Sequence, residues 1–309
     1  MPDDAPLELI RSLAVIAEPP GEEQGRLTQL LDLGAPPTAS EYSDVFLFQL
    51  YPYASVHVGS EGMMGGEARD RVAGFWTALG HVPPAEPDHL AALLGLYASL
   101  GQREHDVDGA ERALVRESRH ALLNEHLAPW VFAFLARVQE LASGAYAAWA
   151  SLLYEVLLSE ARSFGSDASA PLPLHLRLSD DLPDPRTEGG DAWFSGLLAP
   201  VRAGMILTRA DLARIAGALD LGLRAGERRY ALEHLLAQDP ISVLGALAAE
   251  ARRQGAAHAG RSDWLGPAAT FCHDRAMRAA ALLEELAEQG ATHLRDASEA
   301  PVGIGVEEG

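Results

Sequence analysis

The sequence has no lysine, a single cysteine, and no apolar run near the ~20 residues that a membrane-spanning helix needs. One thiol, Cys272, cannot close an intrachain disulfide, build a multi-cysteine zinc site or ligate an iron–sulfur cluster. Positive charge is scarce: 24 arginines face 44 acidic residues, giving a net charge of −20. That field repels polyanions and disfavours sequence-independent nucleic-acid binding, while a cationic peptide or protein is attracted. The missing lysine, with the abundance of Ala and Leu, reads as a GC-rich genome and carries no functional conclusion. Met1-Pro2-Asp3-Asp4-Ala5-Pro6 holds two acids where a secretory signal has basic residues, so a cytoplasmic protein without a membrane span is expected. Alternating apolar and polar runs are also missing, which argues against strands.

Helical periodicity takes their place. Hydrophobic residues make up 48% of 309 positions, enough for one large domain or two. Leu90, Leu93, Leu94, Tyr97 and Leu100 form one helix face, with Gly101 placed to end it in a left-handed cap. Leu127, Trp130, Val131, Phe134, Leu135, Val138 and Leu141 form a heavier stripe, in which Pro129 is tolerable only in a first turn. Tyr146, Trp149, Leu152, Leu153, Val156 and Leu157 form a third. Thr38 and Glu41 are spaced as a capping box before Val45, Phe46 and Phe48. Residues 51–66 look like an ordered loop. The expected organisation is all-α: a helical domain over 1–164, a Pro/Gly/Asp-rich linker over 165–191, helices over 192–295 and a disordered tail over 296–309. The linker is expected to be the most protease-sensitive internal stretch.

Catalytic chemistry finds little footing. His89 with His105-Asp106, and separately His273-Asp274, are the ingredients of a helical metal-dependent hydrolase, but nothing in their spacing makes four ligands converge. His120 and His126 are six apart, off the i, i+4 spacing of one helix face. No Gly-x-Ser-x-Gly elbow occurs, and the glycine-rich stretch 59–66 lacks the lysine of a phosphate loop. No catalytic residue, cofactor or tightly bound metal is expected. The arginine-bearing stretch from Leu207 to Leu236 has the outline of a helix-turn-helix, yet its second helix is too apolar to read bases. Core or interdomain packing is the better reading.

One ordered set of segments is more specific. Pro52-Tyr53-Ala54-Ser55-Val56-His57 is followed by Glu61-Gly62-Met63-Met64-Gly65-Gly66, then Glu86-Pro87-Asp88-His89-Leu90, then His126-Leu127-Ala128-Pro129-Trp130. This order resembles the TorD/DmsD/NarJ family of redox-enzyme maturation chaperones, over about residues 5–165. Beyond 190 it is similar to long-form members through Gly204-Met205-Ile206-Leu207-Thr208-Arg209 and Gly226-Glu227-Arg228-Arg229. Tyr51 stands where the family usually has a second proline.

The resemblance implies a non-enzymatic TorD-like helical bundle with an added C-terminal helical region. Its expected partner is a molybdopterin-containing oxidoreductase, held through its twin-arginine leader or as apoprotein until the cofactor is inserted before export. The peptide-binding residues it implies are Tyr53, Ser55, Glu61, Trp76, Glu86, Asp88, His89, His126 and Trp130. Physically, a basic region followed by an apolar stretch calls for carboxylates beside an aromatic-lined groove. Each residue has a plainer alternative: Asp88 or Glu86 as a helix cap, His89 and His126 as capping or core histidines, Trp130 as core. Asp88→Lys should weaken peptide binding if Asp88 is a ligand group, and should lower stability instead if it only caps. A helical His/Asp hydrolase and an acidic scaffold or regulator are the competing functions. Dimerisation by exchange of helices across 165–191 is left open.

Overall fold

A computed structural model describes residues 5–165, 171–224 and 226–299, with side chains placed as far as Thr292. Among these residues every regular element is helical. Extended backbone pairs only at one isolated bridge, Tyr53 to His89. The all-α expectation holds.

The first half builds one core. α1 (Ala5–Ile16) buries Leu7, Ile10, Leu13 and Ala14 along one face. α2 (Glu22–Leu30) follows, then α3 (Ala39–Tyr42), which starts on the expected capping box: Thr38 Oγ1 accepts from the Glu41 amide at 3.2 Å, and the Glu41 carboxylate accepts from the Thr38 amide at 2.7 Å. A π-helical turn (Ser43–Leu47) buries Phe46 and leaves Phe48 exposed. The loop expected over 51–66 contains a short helix, α4 (Ala54–Val58). α5 (Gly66–Ala78), α6 (Leu90–Asp106) and α7 (Gly109–Ala121) come next, the last running into a second π-helical stretch (Leu122–Leu127). α8 (Val131–Leu141) and α9 (Gly144–Phe164) close the unit, and Trp149 donates from Nε1 to the Leu13 carbonyl at 2.9 Å. Pro129 is in the turn before α8, outside any helix.

Gly101 does not end α6. The helix continues to Asp106, because Gly101 is a contact point: a Cβ there would lie 2.4 Å from Leu7 of α1.

The stretch expected to be a structureless linker is folded where it is described. α10 (Leu174–Arg177) buries His175 and Leu176, and α11 (Pro185–Glu188) is capped by Asp184. Arg275 ties the stretch down by donating to the Ser179 carbonyl at 2.7 Å. Residues 166–170 lie outside the described residues. The region expected to be helical over 192–295 opens with α12 (Gly190–Leu197), which starts two residues earlier, and α13 (Pro200–Ala203). They lead to α14 (Arg209–Ala218), α15 (Arg228–Gln238), α16 (Pro240–Ala259), α17 (Ser262–Leu265) and α18 (Pro267–Glu299). Positions 296–299 of the expected tail are thus the end of α18; the rest of that tail lies outside the described residues.

A second core of Trp193, Leu197, Leu212, Ile215, Leu232, Val243, Leu247 and Leu283 fills this half. The two halves interlock. Ile206 belongs to the first core, and Trp264 packs edge-on against Phe132 with centroids 4.6 Å apart. Arg137 of α8 donates from Nη2 to both carboxylate oxygens of Asp211 at 2.7 and 2.6 Å, out of solvent. The segment Gly204–Arg209 runs between the halves. Gly204 has φ +66°, and a Cβ there would sit 2.2 Å from the Ala276 amide nitrogen. Gln254 clasps both the amide and the carbonyl of Ile206.

Candidate functional site

The Pro52–His57 and Glu86–Leu90 segments are two halves of one joint. The Leu90 amide donates to the Pro52 carbonyl at 2.8 Å, and the Ala54 amide to the Asp88 carbonyl at 2.9 Å. The Asp88 carboxylate is only 2% exposed and accepts from the Ser55 amide at 3.0 Å. An anion at the start of α4 satisfies a helix N–H that has no internal partner. Ser55 in turn accepts from the Gly65 amide at 3.1 Å, anchoring the glycine-rich loop. His89 caps α6, its Nδ1 accepting from the Ala91 amide at 3.2 Å. Burial lowers the His89 pKa against the opposing pull of Glu86 and Asp88, which favours the neutral ring that this acceptor role needs. Trp76 donates to the Pro87 carbonyl at 3.2 Å.

On the outer side of this joint lies a cavity of about 510 Å³ between Glu18, Tyr42, Leu47, Tyr53, Glu86 and His89. Tyr53 donates to Glu86 at 2.9 Å and meets His89 edge-on at 4.8 Å. Burial raises the Tyr53 phenol pKa most, and its bond to Glu86 adds to that. Tyr42 is raised by burial and by the charges of Glu86 and Glu18. Both exposed carboxylates therefore act on one pocket.

Next to it runs a groove of about 550 Å³ between Leu47, Phe48, Tyr51, Val56, Met63, Met64 and Leu198, with Glu61, Glu227, Arg209, Arg228 and Arg229 also in its walls. Leu47, Phe48, Met63 and Met64 are 46%, 48%, 63% and 58% exposed, a cluster of large apolar side chains that a surface without a binding role rarely gathers. Gly62, at φ +63°, lets the methionine loop lie on the turn between α12 and α13: its Cβ would be 2.8 Å from the Ala199 Cα. Leu47 lines both the acidic pocket and the apolar groove.

Residues 15–136 match the family model described as nitrate reductase delta subunit. Over that span the chain is similar to the nitrate reductase delta subunit family. It is a family of redox-enzyme maturation chaperones of the NarJ/TorD type, not of catalysts, and the resemblance read from the motifs is borne out. No curated protein and no solved structure matches the chain. Among the described residues no helix is long and apolar enough to cross a membrane.

The family span holds the whole joint and the acidic pocket, whereas Leu198, Arg209 and Arg228 come from outside it. Of the residues expected to bind peptide, Tyr53, Glu86 and His89 meet in the pocket, and Glu61 lines the groove. Asp88 and Ser55 are behind them in the joint, and Trp76 is half-buried beside it. His126 and Trp130 are deeper. Trp130 donates to the His126 carbonyl at 2.8 Å and stacks on His57 at 5.0 Å. His126 faces His175 at 3.3 Å, and burial, then the neighbouring ring, depresses its pKa to about 3. Sequence reasoning missed Glu18, Leu47, Phe48, Arg209 and Arg228 as site residues. The one available signal was Leu47-Phe48 continuing an apolar run past the helix that buries Phe46. Among the described residues no group of three or more His, Cys, Asp or Glu could hold a metal. His273 bonds the Gly255 carbonyl instead.

Proposed function

We propose that this protein is a cytoplasmic maturation chaperone for a molybdopterin oxidoreductase of the nitrate reductase type. It binds the enzyme's twin-arginine leader, or its apo form, and holds it until the cofactor is in place before export. The observation that carries this reading is the shared edge at Leu47, which puts an acidic pocket directly beside an apolar groove. A leader has the same two parts, an arginine pair and then an apolar stretch. The arginines fit against Glu18, Glu86 and the Tyr53 hydroxyl. The apolar stretch fits over Leu47, Phe48, Met63 and Met64, and methionine's flexible thioether adapts to varied side chains.

Burial of the apolar stretch supplies most of the affinity, at roughly 25 cal/mol per Å² before ordering costs. The arginines supply orientation and association rate, through charges that salt screens. Tyr53, Glu61, Glu86 and His89 touch the peptide in this reading. Asp88, Ser55, Trp76, His126 and Trp130 hold those surfaces in place.

The test is co-purification from the native host followed by calorimetric titration with the leader of the captured enzyme, against a twin-lysine control. Binding of the leader, weakened in the control, is the expected result. No heat at high micromolar leader overturns the leader-binding reading.

A further inference from the structure

The groove has a feature that neither an arginine pair nor an apolar stretch uses. Arg209 and Arg228 line it close to one another, and among the described residues neither forms an ion pair with a carboxylate. Arg228 is half-buried; its Nη1 donates to the Leu207 carbonyl at 2.9 Å, a neutral acceptor. Burial lowers its pKa; Tyr51 opposes this, and the charge of Arg209 adds to the lowering. Arg209 rests its guanidinium over the Phe48 ring, 5.8 Å from the centroid, at the apolar floor of the groove. Arg229 differs: it is already committed to Asp191 and Glu233. Glu61 and Glu227 share the groove walls but pair with neither Arg209 nor Arg228 among the described residues.

A desolvated guanidinium at Arg228 beside the like charge of Arg209 is an unfavourable arrangement that an anion relieves. A guanidinium presents a planar fork of donors that matches a carboxylate. We propose that Arg209 and Arg228 form a carboxylate-recognising wall, so that the preferred occupant of the groove is a peptide whose apolar stretch is followed by an acidic residue. This rests on the leader-binding reading above. Arginines of the peptide meet Glu18 and Glu86 on one side of Leu47, its apolar residues lie on the groove floor, and its acid meets Arg209 and Arg228. The pattern basic, apolar, acidic would then distinguish a cognate segment from other apolar peptides, because each wrong charge meets a like charge.

Two fluorescein-labelled synthetic peptides test this by polarisation. Both carry an Arg-Arg pair and a run of Leu, Phe and Ala; one ends in Asp-Glu and its twin in Asn-Gln. The full-length protein should bind the acidic peptide about tenfold tighter or more, the weaker end of what charge-assisted hydrogen bonds contribute. Arg209→Gln, which removes no hydrogen bond within the protein, should erase most of that preference. Arg228→Gln should do the same to the preference. Equal binding of the two peptides by wild type overturns the carboxylate wall and leaves the leader-binding reading standing. So does a preference that survives both substitutions. Binding of neither peptide overturns the groove as a peptide site, and the wall with it.

Discussion

Glu86 and Asp88 are two residues apart in one motif, and the structure gives them opposite duties. Asp88 is walled in and accepts from the Ser55 amide; Glu86 is exposed and shares its carboxylate with the Tyr53 hydroxyl. Asp88→Ala leaves a buried N–H without a partner, a loss of ~1–3 kcal/mol, of which loss of a helix cap typically makes up about 1. At roughly 2–4 °C per kcal/mol for a chain approaching this length, the melting midpoint should fall by about 2–12 °C. Glu86→Gln keeps an acceptor for Tyr53 at an exposed position, so stability should stay within about 0.5 kcal/mol of wild type. Its effect belongs to binding: the leader should dissociate about three- to tenfold more readily, and raised salt should narrow the gap to wild type. The assay is a thermal melt of each variant, then leader titration at a temperature where all are folded. There Asp88→Ala should bind within about twofold of wild type, as expected for a group outside the interface. A wild-type melt for Asp88→Ala with lost binding would refute the joint. A lowered melt for Glu86→Gln with normal binding would refute the pocket.

Two other outcomes follow from buried charge. Arg137→Met removes the buried partner of Asp211, which keeps only Thr208 and the partly exposed Arg214. The loss should therefore lie below the ~3–5 kcal/mol of a fully unpaired buried charge and be read as a lowered urea midpoint; an unchanged midpoint refutes the lock between α8 and α14. His57, His126, His175 and His258 are depressed by burial to about 4, 3, 4 and 4. The folded form therefore binds fewer protons than the unfolded chain, whose histidines titrate near 6.5. The stability they allow is complete above pH 6.5 and is lost as pH falls toward 4. Each histidine loses up to about 1.4 kcal/mol for every pH step of one below 6.5, until its folded-state pKa is reached. Urea midpoints should drop between pH 7 and pH 5, and a flat profile over that range refutes the buried neutral rings.

The helices were legible because their signals are local. The Thr38–Glu41 box and the stripe ending in Tyr97 and Leu100 sit where spacing puts them. Errors came where a residue answers to something distant. Gly101 carries the mark of a helix stop, but its smallness serves Leu7, 94 positions earlier in the chain. The prolines and aspartates of 171–191 look like a linker until Arg275 and the buried His175 are seen to fasten it. The joint was legible as a motif, because its two segments stand in recognisable order. Which of its side chains faces out was not: the hydrogen bonds from Ser55 to Asp88 and from Tyr53 to Glu86 each span 33 residues. Arg209 and Arg228 read as a loose basic patch, since only the fold brings them to Phe48 and Met63.

The motif and the binding surface are thus different parts of the molecule. Asp88, Ser55 and His89 spend their hydrogen bonds on backbone amides, and the effect is to fix Tyr53 and Glu86 relative to α4 and the methionine loop. That joint lies inside residues 15–136, and with it the acidic pocket and most of the apolar floor. The opposite wall, Leu198 with Arg209 and Arg228, is supplied by the C-terminal helices, locked to the first half through Arg137 and Asp211. A helical unit ending at α9 would keep the pocket for a basic segment but present Phe48 and the methionines as an open patch. The added helices turn that patch into a groove with a charged side. Affinity for an apolar stretch can come from the floor alone, whereas discrimination among apolar stretches needs the wall. On the proposed reading, specificity resides in α14 and α15, outside the segment that matches the family model.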